Sequence, residues 1–120
     1  MSSRSIPSML HDLIHHAVRI RAVYESSGSQ ERFLSDGLSK DAVLWNFVVI
    51  GEVCVRLGDE FQSRHPDLPW RAVIAQRNLI AHGYDILDWN LLIRVIEHDV
   101  PDLIRMASAI AAGYGPPPTP

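Results

Sequence analysis

The stretch Ala42–Leu57, AVLWNFVVIGEVCVRL, has apolar residues on nearly every side of the helix that it predicts. Asn46, Gly51, Glu52 and Arg56 interrupt it, so it falls short of the ~20 apolar residues that a membrane span needs. A helix that is apolar all round is buried all round. One helix can hardly be surrounded by a chain of 120 residues, so we expect part of its surface to meet a second copy in a symmetric dimer.

The rest of the chain is also predicted to form helices, with short breaks between them. Ser39 is a good N-cap, which predicts one long helix from there to about Arg64. Helical spacing of apolar residues predicts a first helix from Ser8 to about Glu25, and the segment QERFLSDG predicts a short helical turn before Gly37. No run alternates as a strand would, so the sequence predicts an all-α fold, a small helical bundle.

Two more helices are predicted in the second half of the chain. The segment HPDLP is a break, and its Pro69 suits the first turn of a helix that begins at Trp70. Gly83 stands where a left-handed C-terminal cap would end that helix. Asp88 is expected to cap the last helix, which Pro101 should kink or split.

The composition is that of an ordinary globular protein with a single domain, predicted over residues 1–112. The final segment GYGPPPTP, residues 113–120, predicts a flexible, extended tail. The net charge of -3 gives no global basic field, so any role with nucleic acid depends on a local site. Since Cys54 is the single cysteine and the segment MSSRSIPSML lacks the apolar core of a signal peptide, we expect a cytoplasmic protein.

A pair of histidines in the first helix offers one candidate metal site. His11 and His15 are four residues apart, on one helix face, which is the geometry by which two imidazoles can share a zinc ion. The alternative is a pair of ordinary surface histidines. The sequence offers no third ligand at suitable spacing, and we predict no metal and no cofactor.

Glu52 lies in the most apolar segment of the chain, and a buried carboxylate needs a partner. Arg56, one turn later on the same helix, is the local choice. Arg77, from the next helix, is the alternative, and it would leave a carboxylate orienting a guanidinium that faces a cleft. Sequence alone slightly favours the local pair. The neighbouring Gly51 is expected to allow another helix to approach closely.

The segment RNLIAHGY, residues 77–84, gathers Arg77, His82 and Tyr84 near a predicted helix end. In a structural interpretation the arginine forms a salt bridge, the histidine closes the helix and the tyrosine packs its ring. In a functional interpretation they form a site. Arg77 and His82 are five residues apart, which on an ideal helix separates their directions by about 140°. They converge only if the helix ends between them, if the arginine bends round, or if a second chain supplies one of them.

Arginine and histidine together suffice for one kind of chemistry on RNA. The planar guanidinium matches phosphate oxygens and stabilises the added charge of a pentavalent transition state. Histidine side chains exchange protons near neutral pH. RNA brings its own nucleophile, the 2′-hydroxyl, so the reaction requires no metal.

The motif and its surroundings resemble the HepT-like toxins of the HEPN superfamily. The family pattern of Arg, four residues, His, one residue and Tyr is matched by Arg77, His82 and Tyr84. The segments VIGEVCVRL, LPWRAVIAQRN and DWNLLIRVIEHDVPDLIRM resemble three further family pieces in the same order. The likeness spans roughly residues 8–106.

The resemblance implies a four- or five-helix bundle that forms a homodimer, with a metal-independent RNA-cleaving site at the dimer cleft. It implies Arg77 and His82 as the catalytic pair, with Asn78 and Glu52 in support. It also implies a toxin that is neutralised by an antitoxin, a minimal nucleotidyltransferase of the MntA type. Tyr84 matches the tyrosine to which such antitoxins transfer AMP, which adds charge and bulk that would block RNA.

A different class of function stays open at this point. The chain would then be a non-catalytic helical dimer that binds a protein or a nucleic acid, with the motif holding the dimer together. A substitution of His82 would in that case lower the melting temperature and change nothing about RNA.

Overall fold

The apolar stretch lies in a long helix at the centre of an all-α bundle, as the sequence predicts. The computed structural model describes residues 4–116, and within that range it contains helices and turns and no strand. The helices are α1 (Ile6–Ser26), α2 (Gln30–Ser35), α3 (Gly37–Arg64), α4 (Trp70–Gly83), α5 (Trp89–Arg94) and α6 (Val100–Tyr114). A 3-10 turn, Tyr84–Ile86, follows α4, and a π-helical turn, Val95–Asp99, joins α5 to α6.

The helix α3 begins three residues earlier than predicted, because Asp36 and not Ser39 is its N-cap. The Asp36 carboxylate accepts hydrogen bonds from the backbone N–H groups of Leu38 and Ser39, at 3.2 and 3.4 Å. The Ser39 hydroxyl also donates to this carboxylate, at 2.7 Å, and that bond lowers the pKa of Asp36. Ser39 therefore supports the cap instead of forming it.

One face of α3 forms the middle of the core. This helix packs against α1 and α4, and α6 packs against the other side of α1. The buried face of α3 carries mainly apolar side chains, among them Val43, Phe47, Ile50, Cys54 and Leu57. A single chain leaves part of α3 uncovered, as the sequence predicts, because Trp45 and Val55 on the opposite side are 64% and 47% exposed.

A break in backbone geometry divides α3 near its end. Gly58 has φ of 90° and ψ of 165°, which kinks the helix before its last turns. The Gln62 side chain spans the kink and donates a hydrogen bond of 2.9 Å to the carbonyl oxygen of Cys54. Beyond the kink the Phe61 ring packs edge-on against Trp70, whose indole N–H donates to the carbonyl oxygen of His65. This corner fixes where α4 begins.

The helix α4 begins at Trp70 directly after Pro69, as predicted. Its end differs from the prediction, since Gly83 is not in the left-handed region; its φ is -158°. A close approach explains a glycine here instead, because a Cβ at Gly83 would lie 3.2 Å from the Cγ1 of Ile86. The chain folds back over Gly83 immediately after the helix.

Asp88 caps α5, as predicted, by accepting hydrogen bonds from the N–H groups of Asn90 and Leu91 at 3.0 and 3.2 Å. Pro101 does not break the helical path. The π-helical turn precedes it, and the Val100 N–H donates to the carbonyl oxygen of Val95, five residues back. A wider turn therefore accommodates the proline at the start of α6.

The last helix continues two residues into the segment predicted as a tail, so that Gly113 and Tyr114 are helical. Gly115 ends it with φ of 80°. The rest of the predicted tail, residues 117–120, lies outside the described residues. Within the described range, the helices are too short or too polar to cross a membrane.

Candidate functional site

The site is built where α3 and α4 touch at Gly51. A Cβ added to Gly51 would overlap the Cβ and Cγ atoms of Arg77. The predicted close approach is confirmed, and the element that approaches is the start of the Arg77 side chain itself. The absence of a side chain at Gly51 thus allows Arg77 to lie flat across α3 and reach the next residue of that helix.

The guanidinium of Arg77 is held on two sides. Its Nη2 forms an ion pair with the Oε1 of Glu52 on α3, and its Nη1 donates a 2.7 Å hydrogen bond to the Oδ1 of Asn78. Arg56, the partner that sequence alone slightly favoured, stays 4.0 Å from Glu52. The interhelical pair is therefore the closer one. The Arg77 and Glu52 side chains are 28% and 40% exposed, so the pair lies at the surface of the protein.

The positions of Arg77 and His82 on α4 are linked by the hydrogen bond from Arg77 to Asn78. The helix α4 continues through both Arg77 and His82, so the idea that it ends between them is wrong. Asn78 lies four residues before His82, and on a helix their directions differ by only about 40°. The guanidinium therefore contacts a residue, Asn78, that lies on the same side of α4 as His82. His82 itself is exposed and makes no side-chain hydrogen bond to another described residue.

Tyr84 follows the helix in the exposed 3-10 turn. Its side chain is 73% exposed, and that of Ile86, two residues later, is 78% exposed. The structural interpretation in which Tyr84 packs its ring against the protein is therefore wrong. The phenol is open to an approaching molecule from a position two residues beyond His82.

The two histidines of α1 are not joined by a third potential metal ligand among the described residues. The rings of His11 and His15 are stacked with centroids 6.3 Å apart, and Asp12 between them forms an ion pair with Arg4 at 2.5 Å. Residues 4–116 contain no group of three or more potential ligands arranged to hold a metal ion. The neighbouring His16 points inward, where its Nδ1 lies 2.7 Å from the Oδ1 of the buried Asn46.

A groove that was not predicted from the sequence adjoins Glu52. It has a volume of about 210 Å³ and runs between the start of α1 and the exposed face of α3. Its lining is partly apolar and includes Trp45, Val48 and Val49. Trp45 lies two helical turns before Glu52, so the sequence alone places both residues on one face of α3.

Comparison with known proteins agrees with the motif. The model of the family described as Ribonuclease HepT-like matches residues 13–110. The chain belongs to the HepT-like ribonuclease family. The match covers α3, α4 and the whole segment that holds Arg77 and His82.

Curated relatives carry ribonuclease names. A Methanocaldococcus jannaschii protein named as an RNase is 26% identical over 103 residues, which cover 86% of this chain and 94% of that protein. A Thermococcus cleftensis protein named as a ribonuclease HepT is 32% identical over 73 residues, which cover 61% of this chain and 66% of that protein. No solved structure is significantly similar to the chain. The predicted enzyme class, a HepT-like ribonuclease of the HEPN type, is confirmed by family membership.

Proposed function

We propose that this HepT-like protein is the toxin of a toxin–antitoxin pair and acts in the cytoplasm as a metal-independent RNA endonuclease. In this proposal Arg77 and His82 cleave RNA in the cleft of a homodimer. The observation that carries it is the guanidinium of Arg77, which is held between Glu52 and Asn78, the latter on the same side of α4 as His82.

The proposed reaction is internal transesterification. The 2′-oxygen of the RNA attacks the adjacent phosphorus, a new P–O bond forms, and the bond to the 5′-oxygen of the next nucleotide breaks. Arg77 binds the non-bridging oxygens, which gain negative charge in the transition state. His82 takes the proton of the 2′-hydroxyl or delivers one to the leaving 5′-oxygen. The products are a 2′,3′-cyclic phosphate and a free 5′-hydroxyl.

Glu52 and Asn78 are positioning residues in this scheme. A free arginine side chain has many rotamers, and fixing them before RNA arrives reduces the entropy lost on binding. Glu52 holds one edge of the guanidinium and Asn78 accepts from the other. The edge that remains faces the cleft and is available to phosphate.

A second chain supplies what one chain lacks. One copy offers a single arginine and a single histidine on adjoining faces of α4, and the protein as a whole is acidic, with a net charge of -3. Two motifs facing each other across a twofold axis would bring two guanidinium groups and two imidazoles to one cleft, where they can contact the same phosphate. The proposed dimer therefore explains how an acidic protein can bind a polyanion.

The test is cleavage of a labelled RNA in the presence of EDTA. Arg77→Ala and His82→Ala are each expected to lower the rate at least about 100-fold, because each removes a group that acts in the transition state. Arg105→Ala and His98→Ala are matched controls on exposed parts of the same chain and should cleave normally.

Mixing the two inactive variants tests the shared cleft. If one cleft draws on both chains, heterodimers of Arg77→Ala with His82→Ala regain activity. Full activity of either single variant would overturn the catalytic assignment. A loss of melting temperature in His82→Ala, with no RNA cleavage by the parent protein, would favour the non-catalytic dimer instead.

We further propose that Tyr84 is where a nucleotidyltransferase antitoxin of the MntA type silences the enzyme. The phenol oxygen would attack the α-phosphorus of ATP, with release of pyrophosphate and loss of the phenolic proton to a base on the antitoxin. Support comes from the 73% exposure of Tyr84 and its place just past His82. The added phosphodiester would repel RNA and its nucleoside would fill the approach to the cleft.

Tyr84→Phe tests this control. The variant should cleave RNA at the parent rate but escape both AMP transfer and neutralisation when the antitoxin is co-expressed. Tyr114→Phe, which alters another exposed tyrosine, is the matched control and should stay sensitive. A Tyr84→Phe protein that is still modified and silenced would contradict the assignment.

A further inference from the structure

The exposed face of α3 has a pattern that its buried face does not show. Six residues lie within an arc of about 100° on this helix, and together they are called the α3 stripe. The stripe consists of Asp41, Trp45, Val48, Val49, Glu52 and Arg56. None of the six is fully buried, and Trp45, its largest apolar member, is 64% exposed. A tryptophan left open to water beside valines is typical of a surface that another molecule covers.

The order of residues along the α3 stripe is self-complementary. An acidic residue, Asp41, lies at one end and a basic residue, Arg56, at the other. The midpoint between Val48 and Val49 is equally far from these two charges. If two copies of α3 cross antiparallel at that midpoint, each Asp41 meets an Arg56, and the valines meet each other on the axis. An isologous interface requires this kind of pairing.

We propose that the α3 stripe is the surface on which a second copy of this chain packs, with the two α3 helices antiparallel. The same symmetry places the partner's Trp45 opposite Glu52, because these two residues are also equally far from the midpoint. The partner's indole then covers the carboxylate that holds Arg77. The partner thus completes the site as well as doubling it, and Trp45 is a positioning residue that acts in trans.

The charges of this surface favour a protein over RNA as the occupant. Arg4, at the rim of the groove, is already paired with Asp12 at 2.5 Å. Arg56 lies 4.0 Å from Glu52. Positive and negative groups are balanced along the groove, whereas a surface that binds a phosphate backbone carries an excess of lysine and arginine. An apolar centre with opposite charges at its ends is instead what a second α3 stripe complements.

The proposed packing also agrees with a shared cleft. Glu52 is three and a half residues from the twofold axis along α3, so the two Glu52 positions are about 10 Å apart along the helices. Packed helices are separated by about 8–10 Å. The two arginines that pair with these carboxylates would therefore flank the axis at close range. The inference rests on the proposed function in requiring a dimer, and it adds the face and the register.

A charge swap tests the register. Asp41→Arg and Arg56→Asp each place like charges opposite one another twice per dimer, so each should raise the dimer dissociation constant at least about tenfold in sedimentation equilibrium. The double variant, with both substitutions, restores opposite charges and should recover most of the parent affinity. Weakening by both single variants without recovery in the double variant would overturn the antiparallel register.

Trp45→Ala tests whether a second copy of this chain covers the α3 stripe. The variant should dissociate at least about tenfold more readily. Raising the protein concentration should restore the dimer but only part of the RNA cleavage, because the indole that covers Glu52 in trans is still missing; full recovery of kcat would show that Trp45 serves only the interface. Val18→Ala, at another exposed apolar position (46% exposed), is the matched control and should not change the dissociation constant. Circular dichroism shows whether each variant keeps its helices.

The outcomes separate this inference from the proposed function. Weaker RNA binding by Trp45→Ala with unchanged dimerisation would assign the groove to RNA and overturn the inference. An intact dimer in all α3 variants, together with regained cleavage in the Arg77→Ala and His82→Ala mixture, would leave the composite site standing and move the interface to another face. Loss of that complementation with a normal charge-swap result would leave the interface standing and overturn the composite site.

Discussion

Gly51 controls the position of Arg77, the proposed catalytic arginine, because it has no side chain. Its Cα is the surface against which the Cβ and Cγ atoms of Arg77 rest, and Glu52, the next residue, receives the guanidinium. Position 51 therefore sets how close α3 and α4 come at the site. Any side chain there must displace either the helix or the arginine.

Gly51→Ala is expected to lower the free energy of unfolding by roughly 1–3 kcal/mol, as overpacking in a close contact does. It should also lower kcat for RNA cleavage, since Arg77 is pushed from Glu52. Gly37→Ala, in the first turn of the same helix with open space at its Cβ, is the control. Urea unfolding and RNA cleavage measure the two effects, and a Gly51→Ala protein as stable and active as the control would contradict the packing argument.

The residues of the site were largely predictable, but their pairing was not. The spacing of Arg77 and His82 is visible in the sequence, and so is a glycine beside Glu52. The choice between Arg56 and Arg77 as the partner of Glu52 depends on the distance between two helices. An ion pair between residues four apart on one helix can be predicted from the sequence. An ion pair between two helices can be predicted only when the packing of those helices is known.

At the scale of elements, the kink at Gly58 gives α3 its direction into α4. A φ of 90° is a conformation that residues with a Cβ rarely adopt. No atom lies within 4 Å of a Cβ built there, so the requirement for glycine is purely one of backbone conformation. The kink directs the last turns of α3 toward Trp70.

Gly58→Ala should therefore destabilise the protein by roughly 1–3 kcal/mol, which is the usual cost of a strained backbone conformation. Gly113→Ala is the control, and its free energy of unfolding is measured in the same way. That glycine is helical and also has open space around its Cβ, so alanine should stabilise its helix slightly. Thermal or urea unfolding of the two variants decides the matter, and equal stabilities would argue against a strained position at 58.

Helix bounds were predictable where one local signal determines them. Pro69 before Trp70, and Asp88 before α5, are local signals whose effect does not depend on the rest of the fold. The helix α4 ends at Gly83 as predicted, but the left-handed cap was wrong, because this glycine serves a contact with Ile86 that forms only after the chain turns back. The start of α3 was misassigned because Asp36 and Ser39 are both good caps and they cooperate.

At the scale of the whole molecule, Cys54 lies at the centre of the bundle. It is fully buried, and burial raises the pKa of its thiol from 9.0 to about 12. The thiolate is the species that reacts with alkylating agents and disulfide reagents. The folded protein therefore presents neither access nor ionisation to such a reagent.

A thiol reagent added at pH 8 should accordingly label Cys54 only as fast as the protein unfolds. In strong urea the same reagent should react at the rate of a free cysteine, because burial no longer suppresses ionisation. Since the chain has one cysteine, the native labelling rate reports the opening of the core directly. Labelling that is as fast in buffer as in urea would show that the core around α3 is open.

The class of the whole fold followed from the sequence, and the surface of the molecule did not. Apolar residues at helical spacing are sufficient to predict an all-α bundle. Which face of α3 the other helices cover depends on how those helices pack, and the apolar residues on all its sides gave no preference. The sequence therefore predicts that part of α3 stays uncovered by its own chain, but not that Trp45 lies on the uncovered side.

The Gln62 amide that spans the kink in α3 predicts which positions co-vary among related sequences. Its hydrogen bond to the carbonyl oxygen of Cys54 is useful only while Gly58 bends the helix between them. A lineage that loses the glycine and straightens the helix would no longer need the amide at position 62. Glycine at 58 and glutamine at 62 should therefore be inherited and lost together, as a pair that selection acts on jointly.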